Sequence, residues 1–372
     1  MKTISLIILV LILTSVSCRQ KQSLHDAGNQ GYEVRYATGY TVKRHADYTE
    51  VNVRDPWDTL KYLQRYVLIQ REKPVPTLLP EGTVVKVPLR KVAVAAAVHC
   101  SILEMLGLGE TITGVCESRY IRIEAIHQGI KEGKIIDIGE AAAPDVERFV
   151  ELAPDAMITS PLNNSPYGGL DKTGIPQIKC VDYMEASPLG RAEWIRFLGL
   201  FTGKEHVADS IFNVIVAEYE AALKLTLNVA NHPTVITEKR YGSTWWVAGG
   251  KSYIANMFRD AAVDYYWYDD NHTGSLPLSF ETVFENAHNA DYWLIRYNQN
   301  KDMTYSDLQN EYMPYSRFAA YQNRRIFACN TAKVAYYEEV AARPDYLLKD
   351  FIKIFHPQLL PNYELRYYKP ME

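Results

Sequence analysis

KEHVADSIFNVIVAEYEAALKLTLNVA, running from Lys204 to Ala230, decides how the rest of the chain is read. Val207, Ala208, Ile211, Phe212, Ile215, Val216, Tyr219, Ala222 and Leu223 recur at the three-and-four spacing of a helix with one buried stripe. Glu205, Asp209, Asn213, Glu218 and Lys224 fall on the opposite face. Neither Pro nor Gly interrupts the pattern before Pro233. About 25 residues rising ~1.5 Å each therefore predict a rod of roughly 35–40 Å, long enough to span a small protein.

On both sides of the rod, buried strands alternate with helices. Before it, Lys91–Val98, Thr111–Cys116, Lys134–Ile138, Asp155–Thr159 and Gln177–Val181 read as strands. Ser101–Leu108, Pro144–Leu152, Leu170–Thr173 and Arg191–Thr202 read as the helices between and after them. After it, strands are expected at Thr234–Thr237, Asp264–Trp267, Tyr292–Ile295 and Ile326–Ala328. Helices are expected at Tyr253–Ala261, Phe280–Ala287, Ala335–Ala342 and Tyr346–Phe355. Apolar strands alternating with helices predict mainly parallel sheets. The fold class is α/β: two α/β lobes, residues 91–203 and 231–372, joined by one long rigid helix at 204–230.

Gly31–Arg71 alternates, as in Tyr36–Val42 and Tyr66–Ile69, and predicts short antiparallel strands. Pro74–Pro88, with four prolines, reads as a connector, which makes residues 18–90 a tether followed by a β-rich segment. Residues 1–17 carry Lys2, an apolar run from Ile4 to Leu13, and Ser15 and Ser17. That run is too short for a membrane span and reads as a secretory signal peptide. Cys18 directly after it resembles a bacterial lipoprotein signal, in which this cysteine is lipidated. Ser15 departs from the usual pattern, which has Leu there. The resemblance implies a chain in the periplasm, lipid-anchored to a membrane.

Without the signal the chain has 39 basic and 44 acidic residues, since only Lys2 is lost, and that balance offers nothing to nucleic acid. Cys100, Cys116, Cys180 and Cys329 are irregularly spaced, mostly within apolar runs, and read as buried thiols, with a disulfide as the alternative in an oxidising compartment.

The two halves echo each other. Val146-Glu147 to Asp155 in the first compares with Phe280-Glu281 to Asp291 in the second, each beginning shortly after a glycine, Gly139 or Gly274. Loop, Glu-bearing helix and strand follow in the same order, as in two pseudo-equivalent lobes.

Lys91–Val94, Leu103–Gly109, Ile112–Val115, Gly139–Glu147, Leu152–Asp155, Gly174–Pro176, Leu198–Lys204 and Arg343–Pro357 resemble, in this order, the substrate-binding proteins of bacterial ABC importers for iron-siderophores, haem and cobalamin. The resemblance covers about Lys91 to Pro357. It implies ligand capture between the lobes and delivery to a permease dimer driven by an ATPase. It also implies that one exposed Glu per lobe, matching Glu147 and Glu281, pairs with permease arginines. The rival role for both is to complement the dipole of their own helix.

The loops at strand ends are the first place to seek ligand contacts. They hold Arg119 and Tyr120; Arg240, Tyr241, Trp245 and Trp246; Arg296 and Tyr297; and Arg317. Aromatic faces suit a macrocycle or catecholate rings, and guanidinium forks suit anionic oxygens. Two adjacent indoles in a Gly-rich loop are hard to bury together, so Trp245 and Trp246 lead the list. His99, at the expected end of a strand, is either a ligand contact or a hydrogen-bonded structural residue. Tyr120 stands near the iron-ligating Tyr of haem-binding relatives, with Ile121 where Pro usually follows. Asp269, Asp270 and His272 read as turn chemistry, and no His spacing marks a zinc site.

No Gly-x-Ser-x-Gly elbow, phosphate-cradling lysine loop or redox cysteine pair supports an enzyme, and no resident cofactor is expected. A two-lobed periplasmic hydrolase, a metal-cluster subunit and a surface adhesin are the rivals from other classes. The combination predicts a monomeric binding protein for a ferric siderophore, with cobalamin and then haem as alternatives.

Overall fold

A computed structural model describes residues 32–162 and 169–372; the signal peptide and Cys18 lie outside them. The chain opens with a four-stranded sheet, β1 (Tyr40–Arg44), β2 (Thr49–Arg54), β3 (Tyr62–Gln70) and β4 (Thr83–Val87), paired in that order. β3 and β4 run parallel. β4 lies inside the stretch expected to be a connector. Its Thr-Val-Val-Lys-Val alternates buried and less buried residues, and the four prolines fall outside the strand.

The opening sheet is fastened to the first lobe by two buried carboxylates. Glu193 accepts the backbone N–H of Arg35, Tyr36 and Ala37 at 2.9, 2.6 and 2.8 Å. Glu185 accepts those of Thr38 and Gly39. Tyr40 packs edge-on against Trp194 and Phe197.

The first lobe contains β5 (Val92–Val94), α1 (Ala97–Met105), β6 (Ile112–Val115), α2 (Glu124–Lys131), β7 (Ile136–Asp137), a hairpin of β8 (Gly139–Glu140) and β9 (Ala143–Pro144), α3 (Val146–Leu152), β10 (Ala156–Thr159) and β11 (Gln177–Lys179). Its sheet has the order β11-β10-β5-β6-β7 and is parallel throughout. β5 and β10 are buried at every position, which is why they read as unbroken apolar runs. α1 starts four residues before the expected helix, because Ala95–Ala97 at the end of the apolar run favour helix as readily as strand.

α4 (Pro188–Ala192) and α5 (Trp194–Thr202) lead through Gly203, at φ 68°, into α6 (Glu205–Thr226). At 22 residues α6 is the expected rod, ending four residues early, and spans about 33 Å. It buries Ala208, Phe212, Ile215, Val216, Tyr219 and Ala222, whereas Val207 is exposed. It packs on α5 of the first lobe and on α12 (Pro344–Phe355), the last long helix of the second.

The second lobe contains β12 (Thr234–Thr237), β13 (Arg240–Tyr241), β14 (Thr244–Ala248), α7 (Tyr253–Asp260), β15 (Asp264–Tyr265), β16 (Ser275–Leu278), α8 (Phe280–Ala287), β17 (Tyr292–Tyr297), α9 (Tyr305–Glu311), α10 (Ala319–Gln322), β18 (Ile326–Asn330), α11 (Tyr336–Glu339), α12 (Pro344–Phe355) and β19 (Lys369–Pro370). Its main sheet has the order β15-β12-β17-β18-β19, parallel except for β19. β13, β14 and β16 form a small antiparallel sheet beside it. The Glu-bearing helices hold matching places: α3, capped by Asp145, follows the β8–β9 hairpin, and α8, capped by Ser279, follows β16.

Candidate functional site

β12 and β17 lie side by side, and their C-terminal ends carry an ion pair. Arg296 Nε donates to Glu238 Oε1 at 2.6 Å. Glu238 adopts the left-handed backbone region, φ 62°, which non-glycine residues hold only where their surroundings impose it. Its N–H donates to Leu294 O, and its own carbonyl accepts from Trp293 Nε1 at 2.6 Å. The pair therefore sits on a backbone fixed from both sides. The Arg296 guanidinium also lies 5.3 Å from the centre of the Tyr336 ring.

A cavity of about 250 Å³ opens over this pair. Its walls include Glu238, Arg296, Trp246, Tyr336 and Tyr337 from the second lobe and Arg191, on α4, from the first. Trp246 is 48% exposed and Tyr337 is 61% exposed, so both offer free aromatic faces. The Arg191 guanidinium stacks 4.1 Å above Tyr253 of α7, where the lobes meet. One of its terminal nitrogens donates to Tyr183 O at 2.6 Å. Its buried Nε has no hydrogen-bond partner among the described residues. The same holds for the hydroxyl of Tyr336, a side chain only 3% exposed. Burial pushes the Tyr336 hydroxyl up to about 12 against the pull of Arg296, so it keeps its proton at neutral pH. Such unpaired donors are costly when buried.

Of the residues expected from sequence, only Trp246 and Arg296 line this cavity. Trp245 is a correction. It lies on β14 rather than in a loop, and strand alternation turns it inward while Trp246 faces out. It is fully buried, stacked 5.6 Å from Trp293, with its indole N–H donating to Thr237 O at 2.9 Å.

His99 takes the second of its two readings, a hydrogen-bonded structural residue, and its place is a correction. It is buried in α1 rather than placed at a strand end, with Nε2 3.0 Å from Asp182 Oδ1. Burial raises the Asp182 carboxyl, but the hydrogen bond and charge of His99 outweigh it and hold the group below its ordinary value.

Arg119 and Tyr120 lie on the surface of the first lobe. Arg119 is paired with Glu140 of the β8–β9 hairpin at 2.9 Å and sits over the Tyr120 ring. Arg240 covers Tyr312 at 3.7 Å, and Tyr241, 86% exposed, ends the β13 strand of its hairpin; neither lines the cavity. Tyr297 accepts Met303 N–H at 2.9 Å and borders a different cavity. Arg317 is exposed and packs over Phe284. Glu147 and Glu281 are exposed in the first turns of α3 and α8. The four described cysteines are buried free thiols.

Arg191, Glu238, Tyr336 and Tyr337 escaped the sequence reading. Glu238 and Tyr337 carry signals in hindsight, an acid directly after an apolar strand and a Tyr pair after the last one. Arg191 had none, because it reaches the site through the meeting of the two lobes.

Two parallel-sheet lobes, a helical connector and a cavity where they meet define a two-lobed binding protein. The sequence model of the periplasmic binding protein family matches residues 92–332, well over half of the chain, so the chain belongs to that family of non-enzymatic transport components. An uncharacterized lipoprotein of Methanocaldococcus jannaschii is 27% identical over 316 residues, covering 79% of this chain and 73% of its own. A second from the same organism is 26% identical over 350 residues, covering 90% and 86%. The fold is similar to that of the periplasmic heme-binding protein RhuT from Roseiflexus sp. RS-1 in apo form, with a TM-score of 0.59 and 21% identity over 73% of this chain and 99% of that one. Residues 32–91, and with them the opening sheet, precede the matched region.

Proposed function

We propose that this chain is the substrate-binding component of an ABC importer and captures a ferric siderophore between its lobes. The observation that carries the reading is the cavity where the lobes meet, with one arginine from each lobe and two exposed aromatic faces. Guanidinium groups complement the anionic oxygens of such a chelate, and the aromatic faces complement its rings. RhuT, a haem-binding protein by its name, and the lipoprotein relatives agree with a role in metal-complex uptake at a membrane. Cys18 is then the lipid anchor and the periplasm the place of capture. Cobalamin is the second reading, favoured by the Glu238 carboxylate in the wall, which suits the amide donors around that ligand.

Loaded protein docks on the permease through Glu147 and Glu281, each exposed on the first turn of its helix where the helix dipole stabilises a negative charge. Titrating the mature protein with ferric siderophores, cobalamin and haem while following tryptophan emission tests the assignment. Quenching by the iron complexes is expected; tight cobalamin binding with none by iron complexes would reverse the order. Charge reversal at Glu147 and Glu281 together is expected to abolish uptake and leave ligand affinity unchanged. A loss of affinity would place those residues in the ligand site instead.

A further inference from the structure

The opening sheet differs in charge from the lobes it is fastened to. Residues 32–91 hold eleven Lys and Arg against seven Asp and Glu, whereas residues 92–372 hold 26 against 36. Strand pairing sorts these charges by face. Lys43 stands opposite Glu50, Glu50 opposite Val67, and Val67 opposite Val84, so these positions share one face with Arg65 and Lys86, two residues along their own strands. The other face carries Tyr40, Val51, Val53, Tyr66 and Leu68 into the core, and the Tyr66 hydroxyl donates to Gln177 O on β11 of the first lobe. The basic face therefore points away from the lobes.

Lys86 Nζ donates to Lys73 O at 2.6 Å, which places the connection from β3 to β4 over the basic face, and Val67 and Ile69 of that face are buried. The ion pairs of residues 32–91 fall on Arg44, His45, Lys61, Arg71 and Arg90. Among the described residues, no carboxylate lies within ion-pair distance of Lys43, Arg65, Lys73 or Lys86. The acids nearby are Glu50, which accepts from Asn52, and, in the connection, Glu72, 3.9 Å from Arg90, and Glu81. The two most exposed large apolar side chains of the described residues, Leu60 at 95% and Leu78 at 90%, both lie in connections of this sheet, Leu78 in the one over the basic face. Single exposed leucines are ordinary, but solvated leucines among cations without carboxylate partners have the composition of a surface that meets a bilayer. The described chain also begins here: the Tyr32 ring lies 5.8 Å from the Arg44 guanidinium at the end of β1. The fourteen residues from Cys18 to Gly31 reach at most about 50 Å.

We infer that the basic outer face of the opening sheet docks on the anionic headgroups of the membrane that holds the lipid anchor, with Leu78 dipping among them. The inference rests on the proposed anchoring at Cys18 and adds a second contact to it. Lys43, Arg65, Lys73 and Lys86 attract headgroup phosphates while the acidic lobes are repelled, so one side of the molecule is selected. A few such contacts hold weakly on their own, but a chain tethered to the same bilayer meets them at high effective concentration.

The test uses the mature chain with Cys18→Ser, which carries no lipid, sedimented with vesicles of phosphatidylcholine alone or with a quarter of phosphatidylglycerol. At low salt and high lipid the chain should sediment with the anionic vesicles, stay in solution with the neutral ones, and be released as salt rises. Lys43→Gln with Arg65→Gln should weaken binding about thirtyfold through two lost headgroup contacts. Both side chains are exposed, so the melting temperature should not change. Leu78→Asp should also weaken binding, whereas Lys224→Gln with Lys301→Gln, exposed cations outside the sheet, should not.

Absence of binding to anionic vesicles overturns the docking face, as do equal binding to neutral ones and binding that the sheet variant leaves unchanged. Dimerisation abolished by the sheet variant would assign the face to a second copy and overturn it as well. Palmitate labelling of wild type, lost in Cys18→Ser, tests the anchor separately. Absence of label overturns the anchor, and the vesicle result still decides the docking face.

Discussion

Trp245 and Trp246 show how one residue step separates scaffold from site. The pair was legible in sequence as unusual, but its direction was not, because it depends on β14 being a strand with Leu278 and Pro277 opposite. Once paired, alternation sends Trp245 against Trp293, Tyr315 and Phe318 and leaves Trp246 at the cavity. Trp245→Ala should cost about 3–5 kcal/mol of folding stability, as for a buried large aromatic. Trp246→Ala should cost little stability and weaken ligand; chemical denaturation of both variants separates the two roles.

A second residue-scale expectation concerns Asp182. Its carboxyl is held below the ordinary value in the folded state, so the contact with His99 contributes stability above the unfolded carboxylate range. That contribution is lost as pH falls through the lowered value. Asp182→Asn should therefore lower the melting temperature at neutral pH and flatten the acid limb of the stability profile. An acid limb identical to wild type would show that the pair is not responsible.

At the scale of elements, the rod and the strands buried on both faces were legible because their periodicity is local. β4 was hidden by the prolines flanking it. The docking of the opening sheet could not be read at all, since it depends on Glu193 reaching residues more than 150 positions away. Glu193 also pairs with Arg196 at 2.6 Å. Glu193→Ala removes the acceptor of three backbone N–H groups and leaves Arg196 with Asp209 as its one carboxylate partner among the described residues, in an interior that is fully desolvated at Glu193. A loss of about 3–5 kcal/mol is expected, the range for breaking a buried pair. Limited proteolysis should then cut first near residues 32–39. Retained protection there would mean that aromatic packing at Tyr40 holds the sheet without the carboxylate.

At the scale of the whole molecule, the internal echo was legible and the cavity was not. The repeat of hairpin, Glu-bearing helix and strand is written twice in the chain. The cavity arises only where Arg191 of the first lobe meets the second. α6 is packed on both lobes and tied at two points: Arg44 pairs with Glu205 at its start, and Lys349 with Glu218 at 2.5 Å further along. A connector of this kind has no pair of loose strands to bend, so ligand should close the lobes by a few degrees. Small-angle scattering with and without ligand should give nearly superimposable curves; a large compaction would contradict the rigid rod.

The central claim is that ligand enters the cavity walled by Arg191, Trp246, Arg296 and Tyr336. Titrating tryptophan fluorescence with a ferric siderophore in wild type and in Trp246→Phe tests it most directly. Saturable quenching in wild type, lost for the most part in Trp246→Phe while calorimetry still detects binding, is the predicted result. Quenching undiminished in Trp246→Phe would place the chelate elsewhere and contradict the account.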